Sequence, residues 1–269
     1  MTLLGGIELR IKVELKSDMR PFRIPYNYNH VLSAIIYRRI ADLELASQLH
    51  GAEGFKFFTF SQISIPRRKA FKNFLLSEDG TFHFFISSPN TELIKSLVEG
   101  FIDRPEIDFL RRRVNVEYVE FLEPPEFRRN MKFGTLSPII IKTVKEEDGV
   151  LKQWDVNPNE LKFYENLQKN LVRKYREFHG DYDGEEYLRV VPYPRSIKRK
   201  RIMIPKEGAE TYHRAYHMKF RIEGDPPLIE FGYDCGFGEK NSMGFGMVVN
   251  SGFKNVGVHQ GDMGISQEK

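Results

Sequence analysis

Gly236-Phe237-Gly238-Glu239-Lys240-Asn241-Ser242-Met243-Gly244-Phe245-Gly246 is the stretch from which the rest of this chain is best read. Two Gly-Phe-Gly units flank a short polar loop that carries one lysine. Glycine permits positive φ and close approach of backbone to a ligand. Successive N–H groups in such a loop can form an anion-binding nest. A phosphate is therefore the expected ligand class, and the spacing limits which one. A mononucleotide P-loop needs Gly-Lys followed by Ser or Thr, and no Gly-Lys occurs in the stretch. The dinucleotide fingerprint needs a third small residue where Asn241 stands. The plain alternative is a tight turn between packed elements.

Working outward, the pattern alternates between strands and helices. Ile7, Leu9, Ile11, Val13 and Leu15 predict a strand with one buried face. Pro21 and Pro25 predict a loop, and Leu32, Ile35, Ile36 and Ile40 a helix from Tyr28. Residues 57–65 read as a strand. Residues 71–76 and 81–87 read as a hairpin turning at Asp79-Gly80. Asn90 opens a helix through Phe101, and residues 114–121 form another strand. After Glu123-Pro124-Pro125 a second pass begins. It has a strand at 136–144, a turn at 147–149, and a helix from Asn157 to about Phe178 with Leu161, Tyr164, Leu167, Leu171 and Tyr175 as its apolar stripe. Strands follow at 187–191 and 216–222, separated by a projecting basic hairpin. A helix from Pro226, the glycine-rich loop and a last strand at 247–249 complete the pass.

Each pass approximates βαββαβ. The expected fold class is α+β, with two tandem ferredoxin-like (RRM-like) domains over 1–123 and 124–251, the C-terminal glycine-rich loop, and a disordered tail over 252–269.

The bulk numbers narrow the function. Forty-one Lys and Arg against 37 Asp and Glu give a net charge of only +4. The cations cluster, however, in Arg67-Arg68-Lys69, Arg111-Arg112-Arg113, Arg128-Arg129 and Lys198-Arg199-Lys200-Arg201. Such patches make a local phosphate footprint. One cysteine, Cys235, can form neither an internal disulfide nor a zinc site. No apolar run reaches the about 18 residues of a membrane span. A soluble cytoplasmic protein without cofactor or metal is expected.

The glycine-rich stretch, continued by Met247-Val248, resembles the C-terminal loop of the RAMP superfamily, the RNA-binding proteins of CRISPR systems, and within it the repeat-processing endoribonucleases. The resemblance extends to Pro25-Tyr26-Asn27, Leu49-His50, Phe58-Thr59-Phe60-Ser61 and Thr135-Leu136-Ser137-Pro138, covering almost the whole chain. It implies RNA cleavage without a metal. The ribose 2′-hydroxyl attacks the neighbouring phosphate, leaving a 2′,3′-cyclic phosphate and a 5′-hydroxyl. It also implies a Tyr–His–Lys set, which falls here on Tyr37, His50 and Lys56. His30 is the second candidate base. CRISPR repeat RNA is the implied partner, with a CRISPR effector complex and a second copy of the chain as further ones. The rivals are a silent RAMP module that only binds repeat RNA and a structural subunit of a CRISPR ribonucleoprotein.

RNA contacts are expected from Gly236, Gly238, Lys240, Asn241, Ser242, Gly244 and Gly246 of the loop. The basic hairpin adds Arg195, Lys198, Arg199, Lys200 and Arg201. The catalytic set carries a geometric condition. On one straight helix Tyr37 and His50 would lie about 20 Å apart. The helix must therefore break between them, with Asp42 capping a second helix over Leu43–Leu49. His83, His213 and His217 lie in strand-like runs and read as structural, while His179 and His259 read as loop and tail residues.

Overall fold

A computed structural model describes residues 9–51, 54–147, 149–206 and 209–251; the tail expected from residue 252 lies outside them. The first half contributes β1 (Arg10–Ser17), β2 (Phe22–Pro25), α1 (Asn29–Arg38), α2 (Leu43–Gly51), β3 (Thr59–Phe60), β4 (Arg68–Ala70), β5 (Phe74–Ser77), β6 (Thr81–Ser87), α3 (Thr91–Asp103), β7 (Glu106–Asp108) and β8 (Arg113–Phe121). Its main sheet has the antiparallel order β3-β6-β1-β8-β7. Alternation works as expected on β1: Ile11, Val13 and Leu15 are fully buried, facing Leu32 and Ile36 of α1 and Leu97 and Phe101 of α3 in one core. Asn90 caps α3, its side chain accepting from the Leu93 N–H.

The second half contributes β9 (Asn130–Thr135), β10 (Lys142–Glu147), β11 (Val150–Asp155), α4 (Leu161–His179), β12 (Leu188–Pro192), β13 (Lys198–Lys206), β14 (Ala209–His217), β15 (Lys219–Gly224), α5 (Pro226–Cys235) and β16 (Val248–Asn250). Its sheet runs β12-β15-β9-β16, all antiparallel. With short β3 as second strand in the first half, both sheets place their four βαββαβ strands in the order second-third-first-fourth. This is the ferredoxin-like arrangement. The ribbons β10–β11 and β13–β14 and the small sheet β2-β5-β4 are inserts.

Several expectations need correction. The stretch between Pro21 and Pro25 is a strand, β2, because both prolines sit at its margins, where no ladder N–H is needed. Residues 71–87 do turn at Gly80 (φ 78°), but β5 and β6 do not pair. They belong to different sheets, because β6 is claimed by β1 and β5 by β2. The run 136–144 is no single strand: β9 ends at Thr135, and Ile139, Ile140 and Ile141 are buried between β9 and β10. Residues 216–222 divide at Met218 between β14 and β15. On α4 the buried stripe contains Phe163, while Leu161 is 74% exposed.

Candidate functional site

The helix break falls where the sequence requires it. α1 ends at Arg38 and α2 begins at Leu43. The Asp42 carboxylate accepts from the N–H groups of Glu44 (2.9 Å) and Leu45 (3.0 Å), as an N-cap does. Two donors that the break removes from the helical ladder are taken by Ser96 of α3: Ala41 N–H to its carbonyl and Asp42 N–H to its hydroxyl. Tyr37 stands in the last turn of α1, its ring edge-on to Phe58 at 5.6 Å. Its hydroxyl shares a hydrogen bond with the Ser242 side chain. Burial raises its pKa, which that hydrogen bond only partly offsets, so the phenol is a proton donor at neutral pH.

His50 lies in the last turn of α2; its side chain lies outside the described residues. The Lys56 ammonium donates to the Leu49 carbonyl at 2.6 Å, so it caps the turn that carries His50. The segment behind Lys56 is clamped to the second half. Glu177 of α4 accepts the Phe55 N–H at 3.3 Å, and the Arg173 guanidinium lies 4.8 Å from the Phe55 ring centroid. The Phe57 ring meets Phe178 at 5.0 Å. Phe57 itself has φ 48°, uncommon for a bulky residue.

The glycine-rich loop packs over α1. Ser33 donates to the Ser242 carbonyl (2.9 Å) and Asn29 to the Met243 carbonyl (3.1 Å). Thr59 donates to the Phe245 carbonyl (2.8 Å). The glycines serve this packing. A Cβ on Gly244 would come 2.4 Å from the Phe60 ring, and one on Gly246 1.9 Å from the Phe237 carbonyl oxygen. The N–H groups of Gly236, Gly244 and Gly246 are bonded within the protein, to Gly232, Asn241 and Pro138 carbonyls. Asn241 is buried too, its amide donating to the Phe245 carbonyl at 2.9 Å. Lys240, at φ 57°, and Ser242 are the partly exposed polar residues at the tip.

Beneath the loop lies a residue that the sequence reading missed. Lys174 of α4 is 1% exposed. Its ammonium donates to the Gly236 carbonyl, to the Gly238 carbonyl at 3.2 Å and to Asn241 Oδ1 at 3.1 Å. Burial lowers its pKa, opposed by Cys235 and Glu239. Its signal in the sequence was a lysine seven residues after Leu167 and three after Leu171, on the apolar stripe.

The basic hairpin is anchored rather than free. Ile202 and Ala215 are buried with Ile140 and Phe245. Arg195, Lys198, Arg199 and Arg201 are exposed, with Arg201 lying 3.9 Å over the Tyr212 ring. Lys200 is half-buried, and its pKa is lowered by burial, then by Lys198 and by Arg68 of β4. At the foot of β14, His217 bridges the halves. Its Nδ1 meets Thr135 Oγ1 and its Nε2 meets Gln62 Oε1, each at 2.9 Å, and burial pushes its pKa down to about 4. His213 lies 3.6 Å from the Asp155 carboxylate. His83 is buried beside Phe85 with its pKa also near 4, from burial and then Lys12.

A second junction is made by Arg10 of β1, 4% exposed. Its guanidinium donates to the Val248 (2.7 Å) and Tyr233 (2.8 Å) carbonyls and lies 3.6 Å over the Tyr233 ring. Nearby Asp234 is pushed up to about 7 by burial, against the pull of Arg10. Among the described residues, no helix is long and apolar enough to cross a membrane, and no three His, Cys, Asp or Glu gather as metal ligands.

The Cas6 N-terminal family model matches residues 23–120, and the Cas6 C-terminal model residues 122–249. The chain is 41% identical over 253 residues to CRISPR-associated endoribonuclease Cas6 1 of Methanocaldococcus jannaschii, covering 92% of this chain and 94% of the relative. It is 35% identical to CRISPR-associated endoribonuclease Cas6 of Pyrococcus furiosus, covering 88% and 87%. A solved structure of CRISPR associated protein Cas6 superposes with a TM-score of 0.78 at 39% identity, covering 90% of this chain and 98% of that one.

Proposed function

The chain belongs to the Cas6 family, and from that premise we propose that it cleaves CRISPR precursor RNA within the repeats by metal-independent attack of a ribose 2′-hydroxyl, with Tyr37, His50 and Lys56 as the reacting set. It is a CRISPR repeat-processing endoribonuclease. In the proposed step the 2′-oxygen forms a bond to phosphorus as it loses its proton. The bond from phosphorus to the 5′-oxygen breaks as that oxygen gains one. The products are a 2′,3′-cyclic phosphate and a 5′-hydroxyl. His50 transfers a proton at one of these two oxygens, suited by an ordinary pKa near 6.5. Lys56 offsets the charge that develops on the phosphorane. Tyr37, held protonated by burial, donates a hydrogen bond to a phosphate oxygen.

What supports the set is the Lys56–Leu49 bond. It brings the lysine to the turn carrying His50, while Phe58, two residues on, touches Tyr37. Lys240 and Ser242 would grip phosphate from the loop tip, with the glycines and Asn241 shaping it. Arg195, Lys198, Arg199, Lys200 and Arg201 would follow the RNA backbone, so affinity would fall steeply with salt. The same reading includes cytoplasmic action, delivery of the product to a CRISPR effector complex, and a homodimer, the last checked by light scattering.

The test is cleavage of labelled repeat RNA in EDTA by the wild type and His50→Ala, beside RNA with a 2′-deoxy sugar at the cut. Cleavage by the wild type alone, blocked by the deoxy sugar, is expected. Binding without cleavage by the wild type would leave only a silent RNA-binding module.

A further inference from the structure

The small sheet β2-β5-β4 lies outside the proposed reacting set of Tyr37, His50 and Lys56. Its inner face is core: Phe22, Ile24 and Leu75 are buried. Its outer face is of another kind. The Phe71 and Phe74 rings are stacked at 4.7 Å with planes 15° apart. The Arg23 guanidinium lies 5.1 Å from the Phe74 centroid. Tyr26 donates to the Phe71 carbonyl at 2.8 Å, which fixes the turn that presents Phe71. Phe71 remains 46% exposed and Tyr26 43%.

Scattered exposed aromatics carry no meaning by themselves. These are pre-stacked, with Arg23 beside Phe74 and Lys69 sharing that face of the sheet through its pairing with Leu76, while Arg67, Arg68 and Lys72 lie in the adjoining segments, all exposed. Among the described residues, Glu78 pairs with Lys69 and Asp79 with Arg67. A protein-docking face also carries aromatics and Arg but is poor in Lys, whereas Lys69 and Lys72 stand here. Cations around open aromatic faces are what single-stranded nucleic acid needs: charge for its phosphates and rings for its bases. The patch also adjoins the basic hairpin, since Arg68 is near enough to act on Lys200.

We propose that β2-β5-β4 is a stacking platform for a single-stranded segment of the RNA that flanks the cleaved phosphate. Phe71 would stack a base, and Arg23, Lys69 and Lys72 would hold the adjoining phosphates. The inference rests on the endoribonuclease reading and extends it to a second contact. α1 starts three residues after Tyr26, and its ten residues rise about 15 Å towards Tyr37. The platform thus lies at the far end of α1 from the proposed reacting set and governs binding rather than bond cleavage.

The test compares wild type, Phe71→Ala and Phe71→Trp, each checked for an unchanged melting temperature. Affinity is measured for full-length repeat RNA and for repeats shortened from either end, and 2-aminopurine is placed at successive positions. Phe71→Ala should weaken full-length binding about tenfold. It should remove quenching of 2-aminopurine at one position and leave the single-turnover rate at saturating RNA unchanged. Phe71→Trp should bind like the wild type. One of the shortenings should erase the difference between wild type and Phe71→Ala. Equal affinity of wild type and Phe71→Ala for every RNA would overturn the proposal, as would loss of a co-purifying protein with RNA binding intact. A slower rate at saturation would move Phe71 into the reacting set and overturn the flank assignment. If the wild type itself neither bound nor cut repeat RNA, the endoribonuclease reading would fall first and the platform with it.

Discussion

The two halves solve the same connection, from first strand to second, in opposite ways. The first half breaks it at Ala41-Asp42 into α1 and α2; the second uses one 19-residue helix, α4. The unbroken helix is scaffold. It buries Phe163, Leu167 and Leu171, and its buried cation, Lys174, donates to the Gly236 and Gly238 carbonyls and to Asn241 of the loop. The broken one ends at Arg38 and restarts at Leu43, which is the condition the proposed set of Tyr37 and His50 places on this connection. Continuity favours packing, and interruption favours chemistry.

The sharpest way to break that contrast is to remove the proposed proton-transfer residue. His50→Ala should slow single-turnover cleavage about 10²–10⁴-fold with repeat affinity unchanged, read in EDTA. Loss of affinity with a normal rate would make α2 a binding element and erase the contrast. Next, Lys174→Met leaves three acceptors without their buried donor. It should cost about 2–3 kcal/mol of stability, seen as a lower urea midpoint. An unchanged midpoint would mean that the loop does not need its support in α4. A smaller effect should follow Asp42→Ala, which removes the cap of α2. About 1 kcal/mol of stability is expected to go, with cleavage slowed more than binding.

The smallest effect is a pH slope at the junction. His217 and His83 titrate near 4 in the fold and near 6.5 unfolded, so only the unfolded chain gains their protons between those values. Their contribution is whole above pH 6.5 and lost as pH falls towards 4. Asp234 runs the other way. Raised to about 7, its contribution is whole below pH 3.8 and lost as pH rises through 7. Two histidines outweigh one carboxyl, so the melting temperature should fall on acidification. Asp234→Asn should steepen that fall, because it removes the opposing slope. An Asp234→Asn profile that overlays the wild type would show that Asp234 does not titrate as the buried junction requires.

What could be read from the residues was local. The alternation of β1, the Asn90 cap of α3, the Asp42 cap of α2 and the order of elements in each pass all depend on neighbours within one helical turn or one strand. What could not be read depends on distant partners. The turn at Asp79-Gly80 is real, yet sequence cannot say that β5 will join β2 while β6 joins β1. The glycines were visible, but their role in close packing against Phe60 and Phe237 needed the first half in place. Lys174 reaches acceptors 62 to 67 residues away, and His217 reaches Gln62 across 155. Nothing local reveals that a buried lysine lies beneath Asn241 and donates to its amide oxygen.

The Arg10 clasp spans 238 residues, from the first described strand to the last. A chain emerging from the ribosome at about 5–20 residues per second presents that arginine well before its acceptors. Until Val248 arrives, the cation on β1 has no Val248 carbonyl to bind, and Tyr37 has met Ser242 only moments before. A truncated translation product therefore has α1, α2 and Lys56 but not the loop that leans on Tyr37.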